Sequence, residues 1–542
     1  MYITKFFTSF PSYIFYIVLL LIFGVVAFNK TFHLSLFGDE WMMLWVIKNS
    51  VVTTGHWNTY INQTITPRLQ ITALISYLLT EYFGSDGKAI YIFSFITRFL
   101  ASLTLFYFLR KRECSNIAAF LGSLLFLITP IGLQATDWVE NFTSYISIVF
   151  FLLCIDSIYT LKSWKNVLIF LLTFSLSIYV NPIRAHGIIL AIPFLLISQY
   201  FFSRVVSRKS IIFSLLCSLV LIFILSKIYY VVYINFPPLP IETFLGAIGT
   251  TLLPQQSYAY FGLLIAALLL WKKYLLSKRY LPFTLALHIL FFAVSYGPLY
   301  QIAKDKMFII IGVYFLLFMI SAFIIELLNK KALEALNTSM QFLLNICFLI
   351  APLLVGTLII DPTHRYLIYS ALSLPIILAF SFNQNIPIIK LKTISFCVTL
   401  LFLVIFYQSL KSEIDRMYVG HNQDTTNIIW QQIAPFFENY DFKNHRALVF
   451  IATDNGAIVH DAVTFGFGYH MGYIYKIWIS DINEVNNRLP VVVDSLTDFT
   501  SLITDGKVAR KYLGKDSDFV FPKTESFYFK IDGLKVTIIN DY

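Results

Sequence analysis

Apolar runs of about 17 to 22 residues recur along the first three quarters of the chain, separated by short polar or basic connections. A helix of about 20 residues covers a ~30 Å hydrocarbon layer, so each run predicts a membrane-spanning helix. They fall at Ser12–Phe28, Ala89–Phe108, Asn116–Thr136, Phe142–Leu161, Asn166–Val180, Gly187–Phe202, Ile211–Tyr233, Ser257–Leu270, Leu281–Tyr296, Met307–Leu328, Gln341–Ile360, Tyr366–Phe382 and Thr393–Tyr407. Every second connection is basic: Arg110-Lys111-Arg112, Lys162 and Lys165, Arg204 with Arg208 and Lys209, Lys272 to Arg279, Lys330-Lys331, Lys390 and Lys392. About thirteen spans with a cytoplasmic N-terminus satisfy the positive-inside rule with this spacing. Lys304 and Lys306, flanking Asp305, are the one basic pair on the other side.

Two stretches depart from the spanning pattern. The first outer loop, residues 29–88, contains Pro67–Phe83, apolar enough for a helix but bracketed by Arg68 and Glu81. Were it to cross, every later basic loop would face outward, so it is expected to lie at the interface. From Lys411 the long runs stop. Ala447–Ala452 and Leu489–Val493 are short, apolar and β-branched among Asp, Asn and Arg, which is a strand pattern; Phe519–Phe521 and Leu534–Asn540 are candidates to pair as further strands. The expected fold is therefore a polytopic α-helical membrane part, residues 1–410, followed by an extracytoplasmic α/β or α+β domain, residues 411–542.

Composition agrees. Of 542 residues, 58% are hydrophobic and 13% charged, against about 25% charged in soluble domains, and mean hydropathy is +0.73. The net charge of +10 is unevenly placed. Residues 411–542 hold 13 basic and 17 acidic side chains, leaving 27 basic against 13 acidic in the apolar part. Basic loops at a membrane account for this excess, and no nucleic-acid partner is implied. The five cysteines lie in or beside apolar segments without a CxxC, as buried small hydrophobes do. The first apolar run lacks a small-residue cleavage signature and reads as a retained helix. Phe465-Gly466-Phe467-Gly468 has neither the third glycine nor the strand–helix context of a dinucleotide loop.

The outer loops carry the candidate chemistry. Asp39 and Glu40 are adjacent carboxylates; one can abstract a proton while its neighbour orients or binds, or both can cap an interfacial helix. Asp137 and Glu140 lie one turn apart, facing one site together or capping the next helix. Arg184 and His186 end one apolar helix, and His364-Arg365-Tyr366 precedes another. A guanidinium there can grip a phosphate bidentately or snorkel to the lipid interface. Arg98 and Asp156 lie within or near apolar spans, where a structural pairing between them is one expectation.

In layout the chain resembles the GT-C superfamily of integral membrane glycosyltransferases, and within it the protein O-mannosyltransferase and lipid A aminoarabinose transferase types. The residues that carry the resemblance are Gly38-Asp39-Glu40, Thr66-Pro67-Arg68-Leu69 leading to Tyr82-Phe83-Gly84, Arg98, Arg110-Lys111-Arg112, the acid before span four, the basic residue ending span five, and His364-Arg365-Tyr366. Most of residues 1–407 is covered by layout, through short motifs; the C-terminal domain shows no family motif. The resemblance implies transfer of a sugar from a polyprenyl-phosphate carrier to an extracytoplasmic acceptor, with inversion. The lack of a eukaryotic targeting signature and the tight loops make a prokaryotic plasma membrane the expected location. It implies Asp39 as general base, Glu40 as supporting acid, and Glu140 or Asp137 as the second acid. Arg68, Arg184, His186, His364, Arg365 and Tyr366 would hold the lipid phosphate. Some members of the superfamily use a divalent metal, for which Asp39, Glu40, Asp137 and Glu140 are the candidate oxygen ligands of Mg²⁺ or Mn²⁺. The aminoarabinose type begins its interfacial helix Lys-Pro-Pro-Leu; here Arg68 offers the charge from a different position.

Three other classes fit a polytopic envelope protein. A transporter or flippase of lipid-linked glycans predicts inverted repeats and ionisable groups at mid-membrane in broken helices, and no clear repeat is present. A non-catalytic assembly protein would tolerate loss of Asp39. A glycan polymerase or ligase normally relies on a large late outer loop, whereas here the early loop is the larger.

Overall fold

The computed structural model describes residues 10–34, 55, 70–83, 87–112, 114–138, 141–182, 186–202, 207–229, 313, 365, 368–372, 374–376, 378–379, 389–422, 428–429, 432, 447–452, 491–493, 507–512, 515–520 and 526–539. The chain divides into two compact units. One comprises residues 1–29, 93–137 and 141–414, the other residues 30–92, 138–140 and 415–542.

The first unit is helical. Its elements are α1 (Phe10–Ala27), α3 (Lys88–Lys111, which begins in the other unit), α4 (Asn116–Leu127), the one-turn α5 (Gln134–Asp137), α6 (Thr143–Ile158), α7 (Trp164–Tyr179), α8 (His186–Phe202, with Pro193 inside), α9 (Arg208–Tyr229) and the first part of α10 (Ile389–Asn422). Among the described residues α3 is the helix long and apolar enough to cross a bilayer. At 24 residues it is about 36 Å long. Arg110 and Lys111 in its last turn suit the negative end of the helix dipole. Ser115 caps α4 by accepting a hydrogen bond from Ala118 N, and Ser163 caps α7 through Asn166 N.

Helix α4 is the hub, with ten of its twelve residues buried. The outer helices are the reverse, turning large apolar side chains outward: Phe15 and Val26 on α1, Leu168 and Leu172 on α7, Leu216, Val220 and Phe223 on α9. Contiguous apolar surface of this kind is stable against hydrocarbon and costly against water.

The span expected over Asn116–Thr136 is not one helix. α4 stops at Leu127, after 12 residues or about 18 Å. Pro130 lacks the N–H that a continuing helix needs, and Gly132 takes φ +70°. The chain turns through residues 128–133 before α5 begins. Those residues are buried, with Thr129 and Leu133 inaccessible. Gly132 lies against Ile368, and Gly122 against Pro375 O and Ala379. From Gly122 to Gly132 the contacts on the later segment step back from Pro375 and Ala379 to Ile368, so the described residues of that segment run antiparallel to this stretch. That segment includes the 3₁₀ turn Ser370–Leu372, where a regular span is expected from the sequence.

The second unit holds the first turns of α3, α2 (Gln70–Phe83), the 3₁₀ turn Asn29–His33 in most of its length, the end of α10, and the strands. α2 spans about 21 Å and inverts the usual amphipathic order. Thr72, Ser76 and Thr80, four residues apart, are buried, while Leu78, Tyr82 and Phe83 are exposed. Pro67, Arg68 and Leu69 lie outside the described residues. Strands β1 (Ala447–Ala452), β2 (Val491–Val493), β5 (Ser526–Asp532) and β6 (Lys535–Ile539) form a mixed sheet in the order β2-β1-β5-β6. β1 is parallel to β2 and to β5, and β5 is antiparallel to β6 across the Gly533 turn. β3 (Lys507–Tyr512) and β4 (Lys515–Val520) make a separate antiparallel pair. The strand at Phe519 thus pairs with Val508, and the strand at Leu534–Asn540 pairs with residues 528–532, not with each other.

Gly132→Ala should be destabilising. A Cβ there would sit 2.7 Å from Ile368 backbone atoms, and the positive φ disfavours any side chain. The expected cost is about 2–4 kcal/mol, read as a lower thermal midpoint of the detergent-purified chain. Gly420→Ala, where a Cβ meets open space, serves as the control. Equal midpoints would remove this close approach from the account of the fold.

Candidate functional site

The described part of the candidate site is assembled around one cation. Arg98 sits ten residues into α3, about 15 Å from its start, and is wholly inaccessible. A buried guanidinium needs every donor placed, and here all three nitrogens are engaged. Nε donates to Leu127 O at 2.9 Å, Nη2 to Thr129 O, and Nη1 to Thr136 Oγ1 at 2.8 Å and Tyr145 OH at 3.1 Å. Leu127 O belongs to the last residue of α4 and Thr129 O to the turn beyond it. Arg98 therefore supplies donors that the missing next turn of helix would have supplied. The Phe28 ring lies 4.6 Å from the guanidinium carbon and the Tyr145 ring 5.7 Å, adding cation–π contact.

Thr136 is gripped from three sides. Its hydroxyl meets Tyr145 OH at 2.6 Å as well as Arg98, and its carbonyl accepts from Ser94 Oγ at 2.8 Å. The next residue is Asp137, 1% exposed, the last of α5 and within electrostatic reach of both Arg98 and Tyr145. Close by in sequence, the start of α6 contributes Ser144, whose hydroxyl accepts from Asn181 Nδ2 at 2.8 Å; Asn181 also reaches Tyr369 OH at 3.5 Å. Asn141, Ser144, Asn181 and Tyr369 are all buried. A set of fixed hydroxyl and amide groups near a carboxylate can bind a polyol or a phosphate ester by hydrogen bonds.

Of the residues assigned from the sequence to catalysis, metal or phosphate binding, Asp137 and Arg365 have described side chains. Arg365 is half-buried and lies three residues before Ile368, the residue against Gly132. His186 opens α8, but its side chain lies outside the described set. Asp39, Glu40, Arg68, Glu140, Arg184, His364 and Tyr366 also lie outside the described residues. Among the described residues no three His, Cys, Asp or Glu side chains converge on a metal position. Three of the four candidate oxygen ligands fall outside them.

Arg98 and Asp156 do not pair. Asp156, near the end of α6, binds Lys111 Nζ and Arg112 Nη2, the latter at 3.3 Å, at the far end of α3. Arg98 and Lys111 are thirteen residues apart, about 20 Å along the helix. Arg112 stacks on Tyr159 at 3.5 Å. The bundle thus has two polar ends, one around Asp137 and one around Asp156. Ser94, Thr136 and Tyr145 are not distinguishable in the sequence, because hydroxyl residues within apolar runs carry no pattern of their own, and Asn181 lies just past the run that ends at Val180.

No family of known proteins matches this sequence, and no curated protein matches it either. Among solved structures, ArnT from Cupriavidus metallidurans in the apo state is similar with a TM-score of 0.35 at 10% identity, over 96% of this chain and 93% of that one. ArnT from the same organism bound to undecaprenyl phosphate gives a TM-score of 0.36 at 10% identity, over 95% and 92%. A likeness below a TM-score of 0.5 carries no argument about activity or site.

Arg98→Lys should be strongly destabilising despite keeping the charge. An ammonium is a single point and cannot serve Leu127 O, Thr129 O and Thr136 together. A loss of at least about 3 kcal/mol is expected, against about 1 kcal/mol for Tyr145→Phe, which removes one hydroxyl. Thermal unfolding in detergent measures both. A native midpoint for Arg98→Lys would show that the fork geometry is not what holds the turn.

Proposed function

We propose that the chain is a multi-pass membrane glycosyltransferase that moves a sugar from a polyprenyl-phosphate carrier to an acceptor outside the cytoplasmic membrane of a prokaryotic cell. The observation that carries the reading is the placement of acids and cations by loop. Asp39, Glu40, Asp137 and Glu140 share one side with Arg184, His186, His364, Arg365 and Tyr366, opposite the basic loops. The burial of Asp137, at the opposite end of the bundle from Arg110-Lys111-Arg112, agrees with that assignment.

In this reading the acceptor hydroxyl attacks the anomeric carbon while its proton passes to Asp39. The bond from that carbon to the carrier phosphate oxygen breaks, the anomeric configuration inverts, and the carrier leaves as its phosphate anion. Arg184, His364 and Arg365 hold and neutralise that phosphate, with Arg68, His186 and Tyr366 beside them. Glu40 and Glu140 orient the acceptor, and Asp137 completes the acidic side. Asp39, Glu40, Asp137 and Glu140 are the candidate oxygen ligands of a divalent metal in this reading. The N-terminus is cytoplasmic and residues 411–542 lie outside.

A second reading, transport of a lipid-linked glycan, is favoured by one observation: α4 is broken, and an ionisable residue is buried at the break.

Membranes carrying native chain or Asp39→Asn at matched expression should be supplied with labelled polyprenyl-phosphate sugars. Transfer is expected from the native chain, with a loss of about 10²–10⁴-fold in the variant. Equal transfer in both would reject Asp39 as base. Carrier translocation in vesicles without transfer, insensitive to Asp39→Asn, would establish the transport reading.

A further inference from the structure

At the end of the helical unit away from Asp137, three loops are tied together. Asp156 binds Lys111 and Arg112, joining the loop after α3 to the end of α6. Ser207 N donates to Leu161 O at 3.4 Å, joining the α6–α7 loop to the residues that open α9. Trp164 packs on Phe213 at 5.0 Å across the same junction, yet it is 59% exposed.

The charges on these joined loops do not balance. Lys111, Lys162, Lys165, Arg208 and Lys209 are exposed, and Arg112 is partly so. Among the described residues the carboxylate in contact with any of them is Asp156, already shared by Lys111 and Arg112; Glu113, beside that pair in sequence, lies outside the described residues and is one acid against six basic side chains. Arg112 retains a buried donor, Nε, without a hydrogen-bond partner among the described residues. Positive charge thus surrounds an exposed indole, the side chain that settles at the headgroup level of a bilayer. Serving the first loop's cations with Asp156 leaves Lys162, Lys165, Arg208 and Lys209 to find their counter-charge elsewhere.

We infer that this face is a binding site for anionic phospholipid headgroups, with Trp164 at the acyl–headgroup boundary and Lys162, Lys165, Arg208 and Lys209 meeting headgroup phosphates. The inference rests on the membrane placement proposed above and not on the transfer chemistry. Each cation near an anionic surface is worth about fivefold in affinity. The attraction is ionic, so salt weakens it over a Debye length of ~10 Å at 0.1 M. A neutral zwitterionic lipid would gain the indole contact but not the charge.

The test uses the purified full-length chain titrated with dansyl-labelled phosphatidylglycerol or phosphatidylcholine in mixed micelles, with energy transfer from tryptophan as the signal. Native chain should prefer phosphatidylglycerol, and 0.5 M salt should erase the preference. The quadruple variant Lys162→Gln, Lys165→Gln, Arg208→Gln, Lys209→Gln should lose at least about tenfold in phosphatidylglycerol affinity, while phosphatidylcholine binding and the thermal midpoint stay unchanged. Replacing the three lysines with arginine should preserve binding. Equal affinity for the two lipids, an unaltered preference in the Gln variant, or displacement by millimolar inorganic phosphate would each overturn the inference, the last by marking a site for free phosphate. Recovery of the chain in alkali-washed membranes checks the membrane placement separately.

Discussion

A guanidinium in an apolar interior has to be fully answered by the groups around it, and much of the helical unit is arranged to answer Arg98. Removing such a charge from water costs several kcal/mol unless hydrogen bonds replace its hydration. The replacement comes from four directions: the end of α4, the turn beyond it, Thr136 and Tyr145. The same four groups gain what they lack. Leu127 O and Thr129 O have no further helical turn to serve them, and buried backbone carbonyls left without a donor are costly. Arg98 and the break in α4 are thus two halves of one arrangement.

The break in turn decides where Asp137 sits. A helix continued from Asn116 to Thr136 would have run about 32 Å. Instead the chain spends residues 128–133 turning, and Gly132 lets it lie against Ile368. Asp137 then ends a single helical turn inside the protein, beside the hydroxyl pair of Thr136 and Tyr145. Its carboxylate meets the field of Arg98, so a buried acid and a buried base relieve each other's desolvation.

The sequence was legible where one kind of surface persists over many residues. α3 is expected over Ala89–Phe108 and observed over Lys88–Lys111, and α7 is expected over Asn166–Val180 and observed over Trp164–Tyr179. The Asn116–Thr136 span fails because hydropathy sums over Ile131 and Leu133 while Pro130 and Gly132, which decide the backbone, add little to the sum. β1 is visible as Ala-Leu-Val-Phe-Ile-Ala, but β3, Lys-Val-Ala-Arg-Lys-Tyr, carries too much charge to read as a strand, and without it the partner of β4 is misassigned. Asp137 was legible as a loop acid. Its support was not, since Ser94, Thr136 and Tyr145 are joined by contacts across up to 42 residues.

The broken helix bears on which proposed activity the scaffold suits. Alternating access requires elements flanking the break to shift against each other. Here α3 grips both the last turn of α4 and the residue after the break, through one rigid planar group with its three nitrogens committed. The resulting hydrogen bonds tie α3 and α4 into one body, and sliding them would expose two carbonyls and a guanidinium to an apolar interior, each at a cost of kilocalories. An ionisable residue that conducts or releases a substrate must be free to change partners, and Arg98 has four of its five N–H groups committed to α4, the turn beyond it, Thr136 and Tyr145. A break locked in this way does not work as a gate; it holds the segment leading to Asp137 in a fixed position. Fixed placement of acids is what attack at a carbon held within about 3–3.5 Å demands. On this physical ground the clamp at Arg98 favours transfer over transport, although a broken helix alone points the other way.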